Sequence, residues 1–170
     1  MLRNLLCSAL LVVAASSSAP VAQVSRPNPL KGVTKVTVQV LLAADQAPFV
    51  ITRDRLRTIL ELRLRTAGLT VLSEAEDSAD PDINPTVQID IVIIPSQTVA
   101  GQIMGYACHT RLSVREYRLS PRNQALVPIE LWDRGRMNVA SSQTVVAAIE
   151  RTTNEFLDGV VSDWLGANPR

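Results

Sequence analysis

Across 170 residues the chain has two cysteines and one histidine, and its 17 basic residues almost cancel 16 acidic ones. Lysine occurs only at Lys31 and Lys35, so arginine carries nearly all the positive charge. Each scarcity removes a class of function. A balanced charge argues against nucleic acid or an anionic membrane surface as a bulk electrostatic partner, because both demand a basic excess. Cys7 lies in an N-terminal apolar segment, which leaves Cys108 alone in the remaining domain, and one cysteine makes no intramolecular disulfide. His109 by itself cannot build a histidine-rich zinc site, and no cysteine pair assists it. A serine or cysteine hydrolase needs a base within hydrogen-bond reach of its nucleophile. Cys108 and His109 are neighbours on a strand and point to opposite faces. Gly101 and Gly105 lack the lysine and the second half of a phosphate-binding loop. No catalytic residue, metal or cofactor is assigned.

What is present begins with an export signal. Arg3 supplies a positive start, Leu5 to Ala15 form an apolar run of about eleven residues, and Ser16, Ser17, Ser18 and Ala19 end it. A spanning helix needs about 20 apolar residues. Residues 1–22 are therefore read as a signal peptide, cleaved after Ser18 or Ala22; the second site exposes Gln23 but puts Pro20 at the minus-three position. Removing Arg3 leaves 16 basic against 16 acidic residues, a neutral domain. Residues 23–32, with Pro27 and Pro29, read as a loose N-terminal leader, and 33–170 as a single α+β domain whose size supplies its own core.

Val36, Val38, Val40 and Leu42 alternate with polar residues as a half-buried strand does. Thr52 is an N-cap, with Ile51 and Leu56 placed for a hydrophobic staple and Asp54 in the first turn. Leu56, Ile59, Leu60, Leu64 and Ala67 form the stripe of a helix. Gly68 closes it in the left-handed conformation, with Leu69 folded back onto Leu64. A second strand starts at Thr70 to Leu72, and the acidic stretch to Pro85 reads as a loop. Val87, Ile89, Ile91 and Ile93 alternate with Gln88 and Asp90 in the third strand, which Pro95 is expected to stop. Tyr106, Cys108, Thr110, Leu112 and Val114 share one face of a fourth strand; His109, Arg111, Ser113 and Arg115 share the other. After the Ser120-Pro121-Arg122-Asn123 turn a fifth strand, Ala125 to Trp132, completes a hairpin, and Pro128 marks it as an edge or a bulge. Ser141 or Ser142 caps a last helix of about 24 residues, about 36 Å long, that carries Phe156 and Trp164.

The order β-α-β-β-β-β-α predicts a two-layer α+β fold: a largely antiparallel sheet of about five strands with two helices on one face. The sheet's other face then holds His109, Arg111, Arg115, Gln88 and Asp90, with Arg118 on it or at its rim. Asp80, Asp82 and Asn84 have the alternate spacing that opens a calcium loop, but Pro85 replaces its turn glycine and Ile91 its bidentate glutamate. Asp90, Glu116 and Glu130 are carboxylates with no fixed separation. Gln102, Ile103 and Met104 fall at the tip of a loop between Gly101 and Gly105, where apolar side chains either fold inward or meet a partner.

Leu30-Lys31-Gly32-Val33, the stretch from Leu62 to Glu74, and Phe156 followed by Trp164-Leu165-Gly166-Ala167-Asn168-Pro169 resemble a family of uncharacterised exported bacterial proteins. The element order is similar to that of small envelope accessory domains such as the N-terminal domain of TolB, the penicillin-binding-protein activator LpoB and the curli secretion protein CsgG. The chain departs from the last two in lacking their lipid-anchor cysteine. The resemblance rests on capping and packing residues, so it transfers no catalytic residue. It implies a periplasmic or secreted, non-enzymatic envelope accessory or protein-binding domain, with Ile103, Met104, Arg111 and Arg115 as candidate contacts to an envelope protein. The alternative is a small-ligand or lipid carrier with a pocket between helices and sheet.

Overall fold

A computed structural model describes residues 28–44, 51–80 and 82–169. The signal segment, its cleavage site and Cys7 lie outside these residues.

The elements run β1 (Lys35–Ala44), α1 (Arg53–Ala67), β2 (Thr70–Val71), α2 (Glu74–Ala79), β3 (Thr86–Gln97), β4 (Ile103–Leu119), β5 (Leu126–Ala140) and α3 (Val145–Ala167). The five strands form one sheet in the order β2-β1-β3-β4-β5. β1 is parallel to both β2 and β3. β3 with β4 and β4 with β5 are the long antiparallel ladders. The sheet is thus mixed within the expected α+β architecture, because the segment between β1 and β3 contains a helical crossover, which returns the chain in the same direction.

α1 forms where its ends are satisfied. The Thr52 side chain accepts a hydrogen bond from the Arg55 amide, and Gly68 at φ 103° closes the other end while the Leu69 amide reaches the Leu64 carbonyl at 3.1 Å. Its buried stripe, Leu56, Leu60 and Leu64, faces the sheet with Val145, Ile149, Leu157 and Val160 of α3. Beneath them lie Val36 and Val40 of β1, Val87, Ile89, Ile91 and Ile93 of β3, and Tyr106, Cys108, Leu112 and Val114 of β4. The two helices are tied to each other at their surfaces by Arg55 with Glu150 and Arg63 with Asp158.

Five sequence expectations need correction. The acidic stretch holds α2, because Ser73 and Glu76 make a reciprocal capping box that satisfies the first-turn amides. Pro95 does not stop β3, which pairs on through Pro95 with Tyr106 to Gln97. The last β1 partner is Ala44 opposite Ile93, so beyond it β3 has a ladder on one side only and tolerates a proline whose nitrogen faces away from β4. β5 runs past Trp132 to Ala140. α3 begins at Val145 after Thr144, whose hydroxyl accepts from the Ser141 amide instead of capping the helix. Finally, the described part of the leader is held down: Leu30 is buried, its carbonyl accepts from Asn168 and the Gly32 amide donates to the Asn168 side chain at 2.7 Å. Pro128 lies in β5, an edge strand, close to a bulge at Leu131, as expected of it.

α3 also covers the inner side of β5, through polar side chains. Trp132 donates its indole N–H to Asp163 at 2.7 Å, Arg136 pairs with Glu155 and lies over Phe156, and Asn138 donates to Thr152. Both long helices therefore occupy one face of the sheet.

Candidate functional site

The strand registers assemble the uncovered face row by row. Thr37, Thr86, Arg115 and Glu130 form one row across β1, β3, β4 and β5; Gln39, Gln88, Ser113 and Asp133 form the next. Leu41, Asp90, Arg111 and Gly135 follow, then Ala43, Val92, His109 and Met137, and last Ile94, Ala107 and Val139. The first three rows carry charge, and the last two are apolar apart from His109; on the other side of the charged rows the β4–β5 hairpin continues with the exposed pairs Tyr117–Pro128 and Leu119–Leu126.

In the charged rows the side chains bond to one another. Arg111 donates through Nε to Asp133 at 2.6 Å and through Nη2 to Glu130 at 2.7 Å. Arg115 donates to the same Glu130 oxygen at 3.2 Å and to the Gln88 carbonyl oxygen at 3.1 Å, and the Gln88 amide donates to Asp90 at 2.6 Å. The hydrogen bond to Asp133, with the charges of Glu130 and Asp90, lifts the Arg111 guanidinium above its ordinary range. Two guanidiniums against three carboxylates leave the lattice with one net negative charge. Ser113 is fully buried beneath it, between Gln88 and Asp133, and its hydroxyl has no hydrogen-bond partner among the described residues.

This lattice positions groups and offers little reaction chemistry. Ser113 and His109 share a face but stand four residues apart on β4, about 13 Å at the rise of a strand, too far for a nucleophile and its base. The three scattered carboxylates do not converge. Asp90 and Glu130 lie on the open face, whereas Glu116 faces the helix side and accepts both hydrogen bonds of Arg118 at 3.0 Å. Arg118 is thus removed from the open face by its register opposite Val127. Cys108 is fully buried on the helix side, and desolvation pushes its thiol upward, away from the reactive thiolate.

The acidic stretch is likewise turned on its own chain. Asp80 accepts from Lys35 at 2.7 Å and from the Asp82 amide, while Asn84 donates to Asp77 and to the Asp82 carbonyl. Among the described residues no cluster of histidine, cysteine, aspartate and glutamate has the geometry of a metal site.

Of the candidate partner contacts, Arg111 and Arg115 lie together in the lattice with their guanidiniums already bonded. Ile103 and Met104 are strand residues at the start of β4, since the connecting turn is confined to Thr98 through Gln102. They are 51% and 74% exposed, so the segment does not fold inward. Five exposed apolar residues were not singled out in the sequence: Leu41, Val92, Ile94, Met137 and Val139, all toward the same end of the open face, Met137 exposed by 62% and Val139 by 79%. The signal for two of them was present in β3. After Asp90 the outward positions turn from polar to apolar, Val92 and Ile94, so that both faces of the strand are apolar there. Such a break in alternation marks either a covered strand or a sticky surface.

For a carrier, the space enclosed among the described residues by α1, α3 and the sheet is too small, and the larger hollows lie at the surface. The void between helices and sheet, bounded by Leu30, Val36, Leu64, Val114, Val160 and Trp164 among others, is about 10 Å³. Pockets for small molecules occupy about 300 Å³ or more. No helix among the described residues is long and apolar enough to cross a membrane.

No protein-family model and no curated protein matches the chain. Several solved structures are similar in backbone. A hypothetical protein of Chlamydia trachomatis has a TM-score of 0.43 at 11% identity, covering 79% of this chain and 99% of its own. A minor lipoprotein of Acinetobacter baumannii has a TM-score of 0.40 at 10% identity, with coverages of 78% and 90%. The PelC dodecamer of Paraburkholderia phytofirmans has a TM-score of 0.40 at 12% identity, with coverages of 76% and 87%.

Proposed function

We propose that the chain is an exported, non-enzymatic accessory domain of the bacterial envelope, periplasmic or secreted, that binds another protein through the open face of its sheet. The observation that carries this reading is the apolar end of that face. Leu41, Val92, Ile94, Met137 and Val139 lie in adjacent rows, exposed, beside an ordered ion lattice. Single exposed apolar residues are ordinary, but a contiguous group rimmed by charge is the composition of a binding surface. The lattice supports the role by holding Arg111, Glu130 and Asp133 in fixed positions, so a partner meets an ordered rim.

The test is site-specific photocrosslinking in the native envelope, with the photoreactive residue at Met137 and a control at Arg151 on the exposed side of α3. A discrete protein adduct from position 137, absent from the control, is the expected result. Adducts to lipid alone, identical adducts from both positions, or a monomer that captures no envelope protein would overturn the reading.

A further inference from the structure

The sheet has two outer edges, and they differ. β5 carries Pro128, a bulge at Leu131, Gly135 and the charges Glu130, Asp133, Arg134 and Arg136, all features that discourage another strand from pairing. Beyond Lys35, β1 carries none of these. Its run Thr37-Val38-Gln39-Val40-Leu41-Leu42 is uncharged and without proline, and β2 pairs only with Lys35 and Val36 of it.

The hydrogen bonds fix which backbone groups face out. Thr70 and Leu72 donate to the carbonyls of Thr34 and Val36, while the Thr37 amide points the other way, to Pro85. Backbone direction alternates along a strand, so the N–H and C=O of Val38 and Val40 face the outer edge, where β2 has already ended. The next outward carbonyl, that of Leu42, accepts from Arg53 at 3.5 Å. Beside Val38 runs a groove of about 390 Å³ floored by Thr37, Val38 and Gln39 and walled by α1 and the start of α2. Its charged lining is Glu61, Glu74 and Asp77 against Arg57; Glu61 is paired with Arg65 at 3.1 Å and Asp77 accepts from Asn84, which leaves Glu74 as the carboxylate with the fewest ties.

We propose that this groove is a strand-addition site, in which an extended, basic segment of a partner protein pairs with the outer edge of β1 at Val38 and Val40. Val38 lines the groove and is half-buried, whereas Val40 is 7% exposed and lies beyond the groove's lining, so pairing starts at Val38 and extends to the outward N–H and C=O of Val40; backbone pairing supplies the affinity. The carboxylates select the side chains: a lysine or arginine on the added strand meets Glu74, and competes with Arg65 for Glu61 and with Asn84 for Asp77. This site is separate from the open face and stands or falls independently of it.

The experiment measures hydrogen exchange and amide shifts of the purified protein with a short synthetic peptide of alternating lysine and valine. Slowed exchange at the Val38 and Val40 amides is expected, together with weak or absent binding of the matching glutamate–valine peptide. In Val38→Pro the lost N–H faces outward and serves no ladder to β3, so the fold is kept while binding weakens about tenfold, the loss of one backbone hydrogen bond. The double variant Glu61→Gln with Glu74→Gln leaves the edge intact and should weaken binding and flatten its salt dependence. Unchanged exchange at Val38 and Val40, equal protection by the glutamate peptide, protection centred on β5, or undiminished binding by both variants would overturn the proposal. So would protection that rises with protein concentration in the absence of peptide, which would make a second copy of the chain the occupant.

Discussion

At the scale of single residues, the polar contacts that matter lie at ends and joints. Asp80 closes α2 and receives the Lys35 ammonium, and that hydrogen bond, followed by the one from the Asp82 amide, holds its carboxyl below the usual range. Glu76 is held low by the Ser73 amide. A carboxylate whose folded pKa is depressed contributes stability above its unfolded value, near 4, and loses it as pH falls through the folded value. Lys35 is the opposite case. Its ammonium is held above its ordinary range by Asp80, so its contribution persists below about 10 and is lost only in strong alkali. Asp80→Asn should therefore lower Tm at pH 7, and the gap to the parent protein should close as the pH is taken below 4; thermal unfolding followed by circular dichroism across pH 2 to 8 measures this. A gap that is independent of pH would mean that Asp80 acts through its turn geometry alone. Gly68 makes a sharper case, since its φ of 103° places it where a Cβ is strained. Gly68→Ala should cost about 1 kcal/mol in urea unfolding with an unchanged m-value.

Among the elements, α1 was the most legible from sequence because both of its ends are written in local chemistry: Thr52 and Asp54 at the start, Gly68 and Leu69 at the close. α2 had the same kind of mark, Ser73 with Glu76 three residues on, but it lay in a stretch dense in acid and bounded by prolines, and it buries no side chain. Its helicity thus depends on its cap. Ser73→Ala should remove about 1 kcal/mol locally. It should raise exchange rates in α2 while leaving those of β3 and β4 unchanged, a pattern that native-state hydrogen exchange resolves residue by residue. Equal acceleration across the sheet would show that α2 is coupled to the whole fold. The far half of β5 was hidden for another reason. Its inward positions are Arg134, Arg136 and Asn138, which bond to or stack on Trp132, Glu155, Phe156 and Thr152. An alternation rule that looks for apolar residues inside a strand cannot see a strand whose inner face is polar and paired. The β1 to β3 pairing was hidden as well, because a parallel ladder between residues about fifty positions apart leaves no local trace.

At the scale of the molecule, a single sheet among the described residues is covered on one side by α1 and α3 and open on the other, and the sequence showed that such a face exists and that Arg111 and Arg115 lie on it. It did not show that the face is divided into a charged part and an apolar part, since that division depends on registers spanning four strands. The division has a consequence for behaviour in solution. After loss of the expected signal peptide the chain is formally neutral, and a neutral protein with an exposed apolar patch has little electrostatic repulsion to oppose association. Met137→Glu combined with Val139→Glu puts two charges on that patch and moves the net charge from 0 to −2. Both side chains are mostly exposed, so little packing is lost, and folding stability should change by no more than about 1 kcal/mol, mainly from weaker strand propensity. Solubility near neutral pH should rise, and light scattering should show less association. The protein adduct formed from a crosslinker on the same face, at Val92, should disappear. A large fall in Tm with no gain in solubility would place Met137 and Val139 in the folding core of the sheet, and the open face would then be a structural surface with no partner to bind.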